Sequence, residues 1–140
     1  MNYTIKKAAV LGSGVMGSAI ACHLANVGIE VLLLDIIPRD LDENNQSDKQ
    51  SRNKIVDGAL KKAIKSKPSP LYSKTFSERI TTGNFEDNFS EIKDCDWIIE
   101  VVIEDLEIKK RIFSKVDKFR RKDSLISSNT SGIPIHLMLE

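Results

Sequence analysis

The sequence predicts an α/β domain, a doubly wound parallel sheet with a helical excursion after its second strand. Short apolar runs recur that are too brief for helices, as in Ala8-Ala9-Val10-Leu11 and Val31-Leu32-Leu33-Leu34. Segments with the 3.6-residue period of amphipathic helices alternate with them. A glycine-rich turn, Gly12 to Gly17, joins the first run to the first helical pattern. Strands that are apolar on both faces and alternate with helices belong to parallel sheets covered on both sides.

The first strand is Ala8–Leu11, closed by Gly12. Val15, Met16, Ala19, Ile20, Leu24 and Val27 then recur at helical spacing, with Gly28 where a glycine just past a helix end would stand. Glu30–Asp35 is the second strand, so strand, turn, helix and strand form one βαβ unit. The stretch from Ile36 to Glu78 is longer than an ordinary crossover. Within it Ser47-x-x-Gln50 reads as a capping box, and Ile55, Ala59, Leu60, Ala63 and Ile64 form the stripe of a helix ending near Ser66, ahead of Pro68 and Pro70. This helix leaves the sheet and is basic: Lys49 to Lys67 holds seven basic residues and one acid, Asp57. The third strand is Arg79–Thr82, and an acidic connector with a short helix covers Phe85–Asp94. Asp96–Val102 is the fourth strand, Asp105–Arg120 an amphipathic helix, Ser124–Ser127 the fifth strand. Asn129-Thr130-Ser131-Gly132 is a turn, and Pro134 opens a last helix, Ile135–Glu140.

Composition narrows the function classes. A chain of 140 residues, 41% hydrophobic and 29% charged, suits one folded domain. Lys+Arg 21 against Asp+Glu 20 gives a charge of +1, without the basic field of a nucleic-acid binder. No apolar run exceeds four residues, so no membrane span is expected. Cys22 and Cys95 make neither a metal spacing nor a disulfide framework, so no metal is expected and a reducing, cytoplasmic compartment is the simplest expectation. Lys6-Lys7 ahead of Ala8–Cys22 could pass for a secretory signal, but the glycine spacing favours strand, turn and helix.

Gly12-x-Gly14-x-x-Gly17 is weak alone. Here a strand precedes it, a helix opens after it, and Asp35 ends the next strand 18 residues past Gly17. This is the Rossmann-type dinucleotide fingerprint. Gly12 makes the tight turn, Gly14 lets backbone approach a pyrophosphate, and Gly17 lets helix and strand pack closely. The pyrophosphate would meet the positive helix end. Asp35 would accept from a ribose 2′-hydroxyl and repel a 2′-phosphate, favouring NAD over NADP. The plainer alternative is a glycine turn without nucleotide, with Asp35 a solvated acid. Ligands of open parallel sheets bind beyond the carboxyl ends of strands. That places Val101, Glu104 and Lys109 after the fourth strand, and Ser128, Asn129 and Ser131 after the fifth, as candidates. Glu104 and Asp105 also suit a helix start, and Asn129-Thr130-Ser131 also suits a plain turn. His23 and His136 have no evident acidic partner, and the basic helix suits either a solvated face or phosphate recognition.

Three stretches go further: Leu11-Gly12-Ser13-Gly14-Val15-Met16-Gly17, Trp97 to Lys109 with its Glu104-x4-Lys109 pair, and Ser127-Ser128-Asn129-Thr130-Ser131. Together they resemble the NAD-binding domain of 3-hydroxyacyl-CoA dehydrogenases of fatty-acid β-oxidation. Pro68-Ser69-Pro70-Leu71-Tyr72 and Asn129 to Pro134 resemble the long, multifunctional members. The resemblance implies that Gly12, Gly14 and Gly17 hold the pyrophosphate of NAD and Asp35 its adenosine ribose. It implies that Val101, Glu104 and Lys109 line the cofactor side, that Asn129 faces the nicotinamide, and that Ser131 meets the 3-oxygen of an acyl-CoA substrate. Asn129 and Ser131 are thus its catalytic candidates, and the basic excursion would face CoA. It further implies that residues 1–140 are the dinucleotide-binding part of a longer, homo-oligomeric enzyme. The general-base histidine and the C-terminal catalytic and dimerisation domain would then lie outside this chain. Two other readings remain: a non-catalytic NAD-binding module, and a dehydrogenase of another small hydroxy acid.

Overall fold

The computed structural model describes residues 4–139. Five parallel strands form one sheet: β1 (Lys7–Leu11), β2 (Glu30–Asp35), β3 (Ile80–Asn84), β4 (Trp97–Glu100) and β5 (Leu125–Ser128). Their spatial order is β3-β2-β1-β4-β5. The connections carry helices α1 (Val15–Asn26), α2 (Lys49–Arg52), α3 (Lys54–Lys65), α4 (Leu106–Phe119) and α5 (Ile135–Met138). The chain moves outward from β1 to β3 and then returns to pair β4 on the other side of β1. The carboxyl edge at such a reversal, here between β1 and β4, is where open α/β sheets take ligands.

The apolar runs are explained by burial on both faces. Ala8 and Val10 of β1 point into one core with Ala21, Leu24, Ala25, Val31, Leu33 and Val56. Ala9 and Leu11 point into the other with Leu32, Leu34, Ile98, Ile112 and Val116. Register follows: Ala9 sits between Leu32 and Ile98, and Leu11 between Leu34 and Glu100. The last of these partners is an acid inside the sheet.

Several expectations are corrected. In α1 the buried face is Gly17, Ser18, Ala21, Cys22, Leu24 and Ala25, while Val15, Met16 and Val27 of the expected stripe are exposed. Small residues decide this, because α1 lies close against β1 and β2. Gly28 does close the helix, at φ +86° with its N–H on the Ala25 carbonyl. Asp48, not Ser47, caps the excursion helix, accepting from Ser51 N–H. That helix is broken at Asn53 into α2 and α3. Nor does α3 leave the sheet: Val56 is buried in the core, with Leu60 and Ile64 packed against it. β3 begins at Ile80 and runs to Asn84, and β4 stops at Glu100. Pro134 occupies the cap position of α5 rather than its first turn, and Glu140 lies outside the described residues.

Candidate functional site

The carboxyl edge carries two groups of expected site residues. The first is the glycine turn with Asp35. Gly12 has φ +115°, and a Cβ there would lie 2.4 Å from the Val101 carbonyl oxygen. A Cβ on Gly17 would lie 1.9 Å from the Gly12 carbonyl oxygen. Both glycines are therefore required by backbone contacts within the chain. Gly14 differs: nothing lies within 4 Å of its missing Cβ. The fold leaves that space open, which is what a bound pyrophosphate needs. No side chain caps the start of α1 and no acid lies in its first turn, so nothing within the helix itself neutralises its positive end. The turn thus fits a dinucleotide.

Asp35 closes this group. Its Oδ2 accepts from the Ser13 N–H at 2.7 Å and from the Ser13 hydroxyl, and its Oδ1 from Ile36 N–H at 2.7 Å. A carboxylate offers about four acceptor positions, so one stays open on Oδ1 for a ribose hydroxyl. Beside the turn a cavity of about 420 Å³ opens between α1 and α3, lined among others by Ser13, Gly14, Val15, Ala59 and Lys62.

The second group lies beyond β4 and β5. The Asp105 side chain caps α4 through Ile108 N–H, which leaves Glu104 free to face the turn after β5. Glu104 Oε2 accepts from Ser131 N–H at 2.9 Å, Gly132 N–H at 3.1 Å and the Ser131 hydroxyl at 3.3 Å. Its Oε1 accepts from the Thr130 hydroxyl at 2.9 Å and pairs with Lys109 Nζ at 3.0 Å. The Ser131 N–H, then the Lys109 ammonium, with help from Gly132 and Thr130, hold its carboxyl down at about 2. Asn129 follows β5 directly, its N–H on the Glu100 carbonyl at 2.9 Å and its side chain exposed. Val101 backs the glycine turn through its main chain, its N–H on the Leu11 carbonyl at 2.8 Å.

Glu104, Lys109, Asn129 and Ser131 are thus gathered at one end of the sheet, Lys109 from beneath. Lys109 is buried, and its ammonium meets Glu100 Oε1 at 2.7 Å, Glu104 Oε1 at 3.0 Å and the Val102 carbonyl at 3.4 Å. From this buried position Lys109 ties Glu100 to Glu104. The sequence reading missed Glu100, fully buried at the centre of these contacts. A lone acid ending the apolar Trp97-Ile98-Ile99 run was the available signal. Among the described residues no group of three or more His, Cys, Asp or Glu is placed to hold a metal ion.

Comparison with known proteins bears on the fold and the cofactor. The family model described as "3-hydroxyacyl-CoA dehydrogenase, NAD binding domain" matches residues 7–140. A Bacillus subtilis (strain 168) protein named "Probable 3-hydroxyacyl-CoA dehydrogenase" is 51% identical over 146 residues, spanning 100% of this chain and 18% of that relative. The fatty acid oxidation complex subunit alpha of Psychrobacter arcticus is 32% identical, over 99% of this chain and 18% of its own length. The crystal structure of (S)-3-hydroxybutyryl-CoA dehydrogenase from Ralstonia eutropha superposes with a TM-score of 0.65 at 26% identity, over 94% of this chain and 43% of that one. The chain therefore spans less than half of each of these relatives.

Proposed function

The chain belongs to the NAD-binding domain family of 3-hydroxyacyl-CoA dehydrogenases, and from that premise we propose that it serves an enzyme oxidising (S)-3-hydroxyacyl-CoA to 3-oxoacyl-CoA in fatty-acid β-oxidation. The observation that carries the proposal is the pairing, on one sheet edge, of an open Gly14 with a Ser131 hydroxyl held beside Glu104. One part suits a dinucleotide, and the other offers a hydroxyl to a second ligand. When bound, NAD supplies the hydride acceptor at its nicotinamide ring.

The chain's own residues bind and orient. The glycine turn and the start of α1 take the pyrophosphate, and the open acceptor of Asp35 takes the adenosine ribose. Glu104 and Asn129 stand by the nicotinamide end. Ser131, freed from its long 3.3 Å bond to Glu104, turns its hydroxyl to the substrate's 3-oxygen and aligns C3, a proximity effect. The hydroxyl proton goes to a general base that we place in the longer protein. Lys62 lines the cavity beside Gly14 and offers a cation to a phosphorylated ligand there, while the acyl-CoA substrate rests on the family. The further domain and the homo-oligomeric assembly belong to the same proposal.

Asp35 gives the direct test. Titration calorimetry with both cofactors should show NADH bound more tightly than NADPH, and Asp35→Ala should narrow that preference. Equal or tighter NADPH binding by the wild-type chain would remove the role given to Asp35.

A further inference from the structure

Glu100 combines three properties that its position in a sheet does not require. It is fully buried at the end of a strand whose preceding residues are apolar. It is paired with a buried lysine in an otherwise apolar strand, although whole buried ion pairs are often replaceable by hydrophobic residues without loss of stability. And its oxygens are divided between both loops that bear the nicotinamide-side residues. Oε1 accepts from Lys109 Nζ at 2.7 Å and from Val102 N–H at 2.8 Å. Through Lys109 this reaches Glu104. Oε2 accepts from the Ser128 hydroxyl, whose oxygen in turn accepts from Thr130 N–H at 3.1 Å. The Glu100 carbonyl takes the Asn129 N–H.

We infer that Glu100 is the positioning residue of the nicotinamide half of the site: one buried carboxylate that sets the segment after β4 and the turn after β5 in a fixed relation, and so holds Glu104, Asn129 and Ser131 in register for the cofactor. The inference rests on the reading that this half of the dinucleotide lies over Glu104 and Asn129. Two arms leave the carboxylate. The Lys109 arm fixes where the negative charge of Glu104 sits. The Ser128 arm fixes the backbone of Thr130, whose side chain also reaches Glu104. Neither of these two arms bonds to the glycine turn or Asp35, so the adenosine half does not depend on them; the remaining bond, from Val102 N–H to Oε1, lies against Gly12, and the side-chain oxygen of Glu100→Gln can still accept it.

That independence provides the test. The binding of NADH and of ADP, which lacks the nicotinamide and its ribose, is measured on the chain by calorimetry, with thermal melting beside it. The variants are Glu100→Gln, which keeps the shape and removes the charge, and Ser128→Ala, which cuts the second arm alone. Glu100→Gln is expected to weaken NADH roughly ten-fold or more, the range for a lost hydrogen bond to a charged group, and to leave ADP unchanged. Ser128→Ala should weaken NADH in the same selective way. A variant that loses NADH and ADP in parallel, or keeps NADH at wild-type affinity, overturns the inference. So does a wild-type chain that binds NADH no better than ADP. If Glu100→Gln does not fold, Ser128→Ala decides by the same criteria. A wild-type chain that binds neither ligand overturns instead the cofactor reading beneath the inference.

Discussion

Gly14 and Gly17 share one motif but are glycines for different reasons. At Gly17 a methyl group would be driven into the Gly12 carbonyl, 1.9 Å away, and a backbone oxygen in a turn cannot step aside. At Gly14 the same methyl meets nothing within 4 Å, and φ −59° suits alanine. Gly17→Ala should therefore destabilise the fold by about 3 kcal/mol or more, the upper end of overpacking costs, visible as a lowered Tm. Gly14→Ala should melt like wild type and yet lose NADH affinity, because its methyl fills the space kept for the pyrophosphate. If Gly14→Ala binds NADH normally, the ligand does not approach there. The motif as letters cannot separate the two glycines. What each missing Cβ would meet separates them.

At the scale of elements, the strands and α4 were legible because their signals are local: a both-face apolar run, or a stripe at helical spacing. The face of α1 and the path of α3 were not, because long-range packing sets them. Small residues let α1 lie close to β1 and β2, and Val56 draws α3 onto the sheet. Within the site, Gly12, Gly14, Gly17 and Asp35 could be placed from spacing, whereas Glu100 and the burial of Lys109 depend on two loops meeting in space. The turn after β5 illustrates the difference. It is held by amides and hydroxyls converging on Glu104, whose carboxyl is thereby lowered from 4.5 to about 2. A lowered folded-state value means that the stabilisation is complete above 4.5 and lost as pH falls through about 2. The NMR shifts of the Ser131 and Gly132 amides should accordingly hold steady past pH 4.5 and move only on approaching about 2. A midpoint near the ordinary carboxylate value would mean that these amides do not hold Glu104.

For the whole molecule, binding a cofactor and transferring hydride make different demands. The first needs a sheet edge with an open glycine turn, a strand-end acid and an ordered turn beyond the neighbouring strands, and residues 4–139 present all three. The second also needs a proton acceptor at the 3-hydroxyl and a closed site that excludes water while C3 is aligned. His23 is exposed on α1 and His136 on α5. Among the described residues no carboxylate hydrogen-bonds either imidazole to poise it as a base. A positioned base is worth roughly 10²–10⁴-fold, and closure by a second domain commonly completes such sites. The relatives are long enough to hold both, since this chain spans 18% of two of them. Residues 1–140 tested alone should therefore bind NADH in a fluorescence or calorimetric titration, while acetoacetyl-CoA with NADH stays at the background rate. Robust turnover would mean that the base lies within this chain, and His136, which follows the Ser131 turn, would be the residue to replace first. Binding without turnover would match an edge built to receive the cofactor, and would agree with the proposal that a longer protein supplies proton transfer and closure.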